Sequence, residues 1–147
     1  MGSGIVLVDF REAFDSVSHS GLLFKLKNIF VGGSVLSIFS EFLSNCMQGV
    51  VVDGATSEWI PIISGVPQGS VVGPLLFILY TSKLFELMEN RLYAYADDST
   101  LLIVVRKPAD RPAVAPSLNM GFARIQEWCN HWCMILNLNK TKALVVS

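Results

Sequence analysis

Apolar residues recur along the chain at two different spacings, and the spacings define its elements. Ile5 to Phe10 is a short apolar run interrupted by one acid, Asp9, which predicts a buried strand. Ser20 to Phe30 carries Leu22, Leu23, Leu26 and Phe30 at helical spacing. Gly32-Gly33 ends that helix, and Ser34 is placed to cap the next. The second helix carries Val35, Ile38, Phe39, Phe42 and Leu43, the positions of one buried face. Val50 to Val52 and Glu58 to Ile63 flank Asp53-Gly54-Ala55-Thr56, a hairpin signal. Ser64 to Pro74 is a loop rich in Gly and Pro, and Pro74 suits the first turn of a helix over about 75–87. Leu92 to Ala96 and Thr100 to Val105 read as two strands joined at Asp97-Asp98-Ser99. Lys107 to Pro116 reads as an irregular connection. Leu118, Phe122, Ile125, Cys129 and Trp132 mark one face of a long helix, and Ala143 to Val146 a last strand.

The order is strand, two helices, hairpin, helix, hairpin, helix, strand. Helices covering one face of a mostly antiparallel sheet make an α+β domain. A chain of 147 residues is one domain's length. The composition is 52% hydrophobic and 16% charged with mean hydropathy +0.51, against roughly 25% charged in an ordinary domain. Disorder is excluded. Eleven basic and twelve acidic residues leave a net charge of −1, which excludes a free-standing nucleic-acid binder acting through bulk positive charge. A piece of a larger nucleic-acid enzyme stays open.

The apolar excess does not indicate a membrane protein. The longest uncharged run, Trp59 to Ser82, is interrupted by Pro61, Gly65, Pro67, Gly69, Gly73 and Pro74. No basic lead marks a signal peptide, and Val6 stands where a myristoylation signal needs Ser or Thr. The excess points instead to faces covered by neighbouring segments of a longer polypeptide. Three cysteines, Cys46, Cys129 and Cys133, make no even disulfide framework, and a reducing compartment follows.

Two features resist a purely structural account. Asp9 ends an apolar strand, and Asp97 and Asp98 sit side by side in the bend of an apolar hairpin. An acid there needs something to offset its desolvation, and a divalent cation would do so. An isolated Asp-Asp would be read as an ordinary turn. If the first strand and the hairpin are neighbours, three carboxylates meet at one sheet edge. Two metal ions about 4 Å apart could then bridge an attacking and a leaving phosphate oxygen.

These residues resemble a known family. The stretch Val8-Asp9-Phe10-Arg11-Glu12-Ala13-Phe14-Asp15-Ser16-Val17 resembles the first catalytic motif of reverse transcriptases. Ser64 to Phe77, with Pro67-Gln68-Gly69 at its centre, resembles the second, and Tyr95-Ala96-Asp97-Asp98 the family's Tyr-x-Asp-Asp box. Leu136-Asn137-Leu138-Asn139-Lys140-Thr141-Lys142 resembles the fourth. The order and spacing are the family's, over nearly the whole chain, and the wording is closest to non-LTR retrotransposon enzymes.

The resemblance implies a polymerase palm. It implies that Asp9, Asp97 and Asp98 are the catalytic acids and that they, with the Phe10 backbone carbonyl, hold two Mg²⁺ ions, for which Mn²⁺ can substitute. Three like charges gathered at one edge call for cations. The first ion would activate a DNA primer's 3′-hydroxyl, and the second would hold the dNTP triphosphate and its pyrophosphate. Phe14 would lie under the incoming sugar and exclude a 2′-hydroxyl. Gln68 and Gly69 would line the nucleotide and RNA-template pocket, Gly69 through close backbone approach to a ligand. Tyr95 would touch the primer end. Lys140 would contact the triphosphate or protonate pyrophosphate. The implied setting is intracellular and nuclear, with no membrane.

Other positions read as structural. Cys129, His131 and Cys133 look like a metal cluster, but His131 points away from the helix face that the two cysteines share and a fourth ligand is missing, so core thiols are expected. Arg106, Lys107 and Arg111 form a loose basic loop, read as solvated. Leu138 stands where the family usually has proline, and Cys46, Met47 and Gly49 where it is often arginine-rich. The whole chain, 1–147, is thus expected to be a partial reverse transcriptase domain, a palm without the family's fingers and thumb and weak or inactive alone. A palm that has become a non-catalytic scaffold or binding module is the alternative, and a nucleotidyl cyclase-like palm would leave the Pro67-Gln68-Gly69 loop unexplained.

Overall fold

A computed structural model of the chain describes residues 2–29, 32–88, 91–95, 98–105 and 112–146, with the backbone alone described for 2–3, 95, 98–105 and 145–146. The first strand, β1 (Gly2–Arg11), is the spine of the fold. On one side it pairs antiparallel with β7 (Asp98–Val105), beyond which lies β6 (Arg91–Tyr95). On its other side it pairs antiparallel with β9 (Lys142–Val146) along Ser3–Leu7 and with β8 (Ile135–Leu136) at Phe10 and Arg11.

Among the described residues four helices accompany the sheet: α1 (His19–Asn28), α2 (Gly33–Ser44), α3 (Gly73–Glu86) and α4 (Val114–His131). Ser18 starts α1, its Oγ accepting from the Gly21 N–H at 3.2 Å. The Gly73 N–H at the start of α3 donates to Ser70 Oγ at 2.9 Å, and Pro74 occupies the first turn. The core forms where β1, α1, α3 and α4 converge. Leu22, Leu26, Leu76, Phe77, Tyr80, Leu84, Ile125 and Cys129 are almost wholly buried there. Each large apolar side chain so buried contributes about 1.5–3 kcal/mol before entropy is counted. The fold is the expected α+β arrangement of a polymerase palm. Among the described residues no helix is long and apolar enough to cross a membrane.

Several expectations need correction. The cap of α2 is Gly32, without a side-chain bond, because Gly33 already belongs to the helix and Ser34 lies inside its first turn. The predicted buried face of α2 is only partly buried. Leu43 is covered, but Val35 and Ile38 are at least half open, because α2 packs on α1 and no further layer covers its first turns among the described residues. The predicted hairpin is two short ladders, β2 (Met47–Gln48) with β5 (Ile60–Pro61) and β3 (Val51–Val52) with β4 (Ala55–Thr56). Beside the second ladder the Ser57 N–H donates to Val50 O at 2.9 Å, and the Ser57 hydroxyl takes the carbonyl's place in accepting from the Val50 N–H at 2.9 Å. Asp98 is not in a bend: it opens β7 and pairs with Tyr95. Asp97 itself lies outside the described residues, as do Arg106, Lys107 and Arg111. Pro116 belongs to the first turn of α4 rather than to the connection before it. The two-residue strand β8 is too short to show in the apolar pattern.

Candidate active site

Period-two alternation along β1 sorts its side chains. Val6, Val8 and Phe10 are buried against the helices, whereas Leu7 is exposed and Asp9 half-buried on the opposite, open face. A one-residue slip in register would place the acid in the core and Phe10 in water. The apolar run therefore anchors the strand, and its single acid emerges where a ligand can reach it.

Backbone direction adds to this. The Asp9 carbonyl accepts from the Asn137 N–H at 2.8 Å, and the Asp9 N–H donates to Thr141 Oγ1 at 3.4 Å. Both of its polar backbone groups thus face the β8–β9 edge. On the other side Asp9 is directly opposed by Asp98. The two form a non-hydrogen-bonded pair, the type with Cα atoms only about 4.5 Å apart. Backbone alternation turns the Phe10 carbonyl toward the β7 side, at the end of the β1–β7 ladder. The half-buried Asp9 carboxylate on the open face and the Phe10 carbonyl beside it are oxygen donors, the kind a hard cation takes.

The turn between β8 and β9 is tied to this point. Asn137 O accepts from the N–H groups of Lys140 (3.1 Å) and Thr141 (2.9 Å) and from the Thr141 hydroxyl (2.9 Å). Residues 137–141 thus satisfy the backbone of Asp9 where one partner strand stops and the next begins. The same turn presents Lys140, exposed, into a cavity of about 530 Å³ shared with Asp9, Phe10, Phe14, Asp15 and Gln68.

A loop from the middle of the chain closes the other wall. The N–H of Gly65 donates to Val17 O at 2.7 Å, and that of Val66 to Phe14 O at 2.9 Å. Ser64 Oγ donates to Asp15 O at 3.0 Å, and His19 Nε2 lies 2.7 Å from Gly65 O. Gly65 has φ +92°, and a Cβ there would stand 2.9 Å from Asp15 Cα. Close backbone approach is therefore the reason for Gly65. Gly69, expected to serve that purpose, has φ +82° with nothing within 4 Å of where a Cβ would stand, so its backbone conformation is what favours glycine. The Gln68 amide donates to Asp15 Oδ1 at 2.9 Å. A carboxylate only accepts, so Gln68 Nε2 is held on Asp15 and its carbonyl oxygen is left for other partners. Phe14 stacks on Phe77 of α3, with centroids 4.5 Å apart and planes at 27°, so it is both core and cavity wall.

Five expected site residues, Asp9, Phe10, Phe14, Gln68 and Lys140, thus line one cavity. Asp98 joins by register and Tyr95 by its backbone pairing with Asp98, while Gly69 sits beside the cavity in the same loop. Among the described residues no three His, Cys, Asp or Glu side chains form a metal-holding group. Cys129 is buried in α4, and burial pushes its thiol up to about 12, as suits a core residue. Asp15, Asn137 and Thr141 contribute to the site without being legible as contributors in the sequence. All three lie inside the quoted motifs, but their bonds span the chain and leave no local signature.

The family model for reverse transcriptase (RNA-dependent DNA polymerase) matches residues 2–146. The chain is 35% identical over 141 residues to the RNA-directed DNA polymerase from mobile element jockey of Drosophila melanogaster, covering 90% of this chain and 15% of that protein. It is 31% identical over 144 residues to the probable RNA-directed DNA polymerase from transposon BS of the same species, covering 92% of this chain and 16% of that protein. Among solved structures it resembles apo telomerase from Candida tropicalis truncated from its C-terminal domain, with TM-score 0.70 and 16% identity over 98% of this chain and 31% of that one. Telomerase from Candida albicans in complex with a TWJ fragment of telomeric RNA gives TM-score 0.67 and 15% identity over 97% of this chain and 27% of that one. The likeness to these structures is one of fold, an antiparallel sheet with helices packed against it. The chain belongs to the reverse transcriptase family, with relatives among non-LTR retrotransposon polymerases, and spans about 15% of their length.

Proposed function

We propose that this chain is the palm of an RNA-directed DNA polymerase that extends a DNA primer with dNTPs on an RNA template. The observation that carries the proposal is the Asp9–Asp98 opposition on the open face of β1, beside a cavity that also receives Phe14, Gln68 and Lys140. Asp9, Asp98, the Phe10 carbonyl and, by its place in the motif, Asp97 would hold two Mg²⁺ ions. Bound there, the ions would acidify the primer 3′-hydroxyl and stabilise the departing pyrophosphate.

The side chains have separate tasks. Phe14, braced by Phe77, forms a rigid wall against which a ribose 2′-hydroxyl would collide. Gln68, oriented by Asp15, offers a carbonyl acceptor to the nucleotide or template. Lys140, carried by the turn that grips Asp9, supplies a cation for the triphosphate and a proton for pyrophosphate. Tyr95 would meet the primer end. Fingers and thumb would come from other parts of a longer polypeptide, in keeping with the small share of each relative that this chain spans. The pure 147-residue chain is then expected to extend primers very weakly or not at all.

Binding of Mn²⁺, followed by its paramagnetic resonance, tests the proposal. The chain should bind Mn²⁺, bind it more tightly with dATP present, and lose it on Asp9→Ala or Asp97→Ala. Absence of binding at millimolar metal would favour the non-catalytic scaffold.

A further inference from the structure

Gln68 stands between two cavities. One is the cavity of about 530 Å³ that holds Asp9 and Phe14. The other, of about 550 Å³, lies toward α2 and the β2–β5 ladder and is lined by His19, Leu43, Met47 and Ile62 among others. Asp15 and Gln68 line both. Gln68 is exposed, so its long side chain has open space on either side. Ordering such a side chain costs rotamer entropy, and one exposed hydrogen bond to Asp15 does little more than offset that cost. For Gln68 to meet a nucleotide in a set orientation, its backbone has to be held as well.

That hold is built around Gly65. Its N–H donates to Val17 O, and the next N–H, of Val66, donates to Phe14 O. In an extended strand consecutive N–H groups point to opposite sides. Here both turn toward residues 14–17, which the φ of +92° at Gly65 permits. In a planar trans peptide the carbonyl points opposite to its N–H, so Gly65 O is directed away from Phe14 O. Gly65 is buried, and a buried carbonyl needs a donor. His19 Nε2 lies 2.7 Å from it. A carbonyl only accepts, so Nε2 carries the proton. His19 is the first residue of α1, next to the Ser18 cap, and Ser18 itself bridges to Ser64. Pro67, with its fixed φ, stands between the bonded Val66 and Gln68.

We propose that His19 is a positioning residue of the nucleotide cavity. From the start of α1 it holds the Gly65 carbonyl and so sets the Val66-Pro67-Gln68 segment. Asp15 then selects the Gln68 orientation that turns its carbonyl oxygen to the cavity. The inference rests on the polymerase reading of that cavity and adds to it a residue that lines the neighbouring cavity and touches no substrate. A role in stability alone has a different signature: loss of His19 would lower Tm and leave the Gln68 side chain as ordered as before.

The test measures ¹⁵N relaxation of the Gln68 side-chain amide in the full chain, and Mn²⁺ binding with and without dATP. The Gln68 amide should be ordered in the wild-type protein and mobile in His19→Ala. His19→Gln, whose amide N–H reaches the same carbonyl, should restore the order. His19→Glu has that reach without a donor and suits the first turn of a helix, so it keeps the fold if His19→Ala does not, and it should behave as His19→Ala. The strengthening of Mn²⁺ binding by dATP should fall about three- to tenfold in His19→Ala and His19→Glu, the worth of one neutral hydrogen bond. Mn²⁺ binding without nucleotide should not change, because Asp9 is held from the β8–β9 side. A Gln68 amide as ordered in His19→Glu as in His19→Gln, or a dATP effect equal in the two, overturns the proposal. Absence of Mn²⁺ binding in the wild-type protein overturns the polymerase reading instead, and relaxation alone then decides whether His19 orders Gln68.

Discussion

Substitution of Gly65 by alanine tests how the central loop is docked on the β1 turn. Gly65 has φ +92°, and an added Cβ meets Asp15 Cα at 2.9 Å, Asp15 O at 3.0 Å and Phe14 O at 3.2 Å. All three atoms are backbone, so no side chain can swing aside. The left-handed conformation costs a non-glycine residue about 1–2 kcal/mol. Forcing a methyl into a filled space costs about 1–3 kcal/mol more. The sum, about 2–5 kcal/mol, corresponds to a fall in Tm of roughly 5–15 °C for a chain of this length. Gly69→Ala is the internal control. It shares the positive φ, +82°, but has nothing within 4 Å of the new methyl, so only the backbone cost, about 1–2 kcal/mol, remains. Thermal unfolding of both variants by circular dichroism separates strain from collision. Equal Tm values for Gly65→Ala and Gly69→Ala would refute the claim that Gly65 exists for close approach to Asp15.

Two further outcomes are expected. Thr141→Val removes the hydroxyl that accepts from the Asp9 N–H and donates to Asn137 O, whereas Asn137 O keeps two backbone donors. A loss of about 1–2 kcal/mol and faster hydrogen exchange at the Asp9 amide should follow, with both effects smaller in Thr141→Ser; identical exchange in all three proteins would remove Thr141 from the site. Stability should rise between about pH 8 and pH 9, because the folded Lys25 has already lost a proton that the unfolded chain still holds, by about 1 kcal/mol at most. Below pH 8 both states are protonated and the cost of burying the charge is fully present. Above about pH 9 the buried Cys129 thiol opposes the trend, and above about pH 10 the Tyr80 hydroxyl, also raised by burial, adds to it. Urea unfolding across this range should lose the slope in Lys25→Met, and an unchanged slope would assign it to another group.

Much of the architecture is legible in the sequence because local periodicity carries it. The alternation at Val6, Val8 and Phe10 marks a strand with one buried face, and Leu118, Ile125 and Cys129 mark the inner face of α4. The family is equally readable, since its motifs stand in order along the chain. The exposure of the apolar face of α2 is not legible, because periodicity states which residues share a face and not whether another layer covers them. An Asp-Asp pair carries turn propensity, which argues for a bend at Asp98; cross-strand pairing with Tyr95 and Asp9 overrides it.

The amino-acid order by itself therefore determined the element types and the family, both of which depend on neighbours along the chain. Only the tertiary structure decided that Asp9 is gripped from behind by residues 137–141, that Gly65 rather than Gly69 is the point of close approach, and that Lys25 is enclosed by rings from α3 and the end of α4. These are contacts between residues far apart in the chain, 132 positions in the case of Asp9 and Thr141. Their energies depend on distance in space, and no short-range pattern in the sequence encodes that distance.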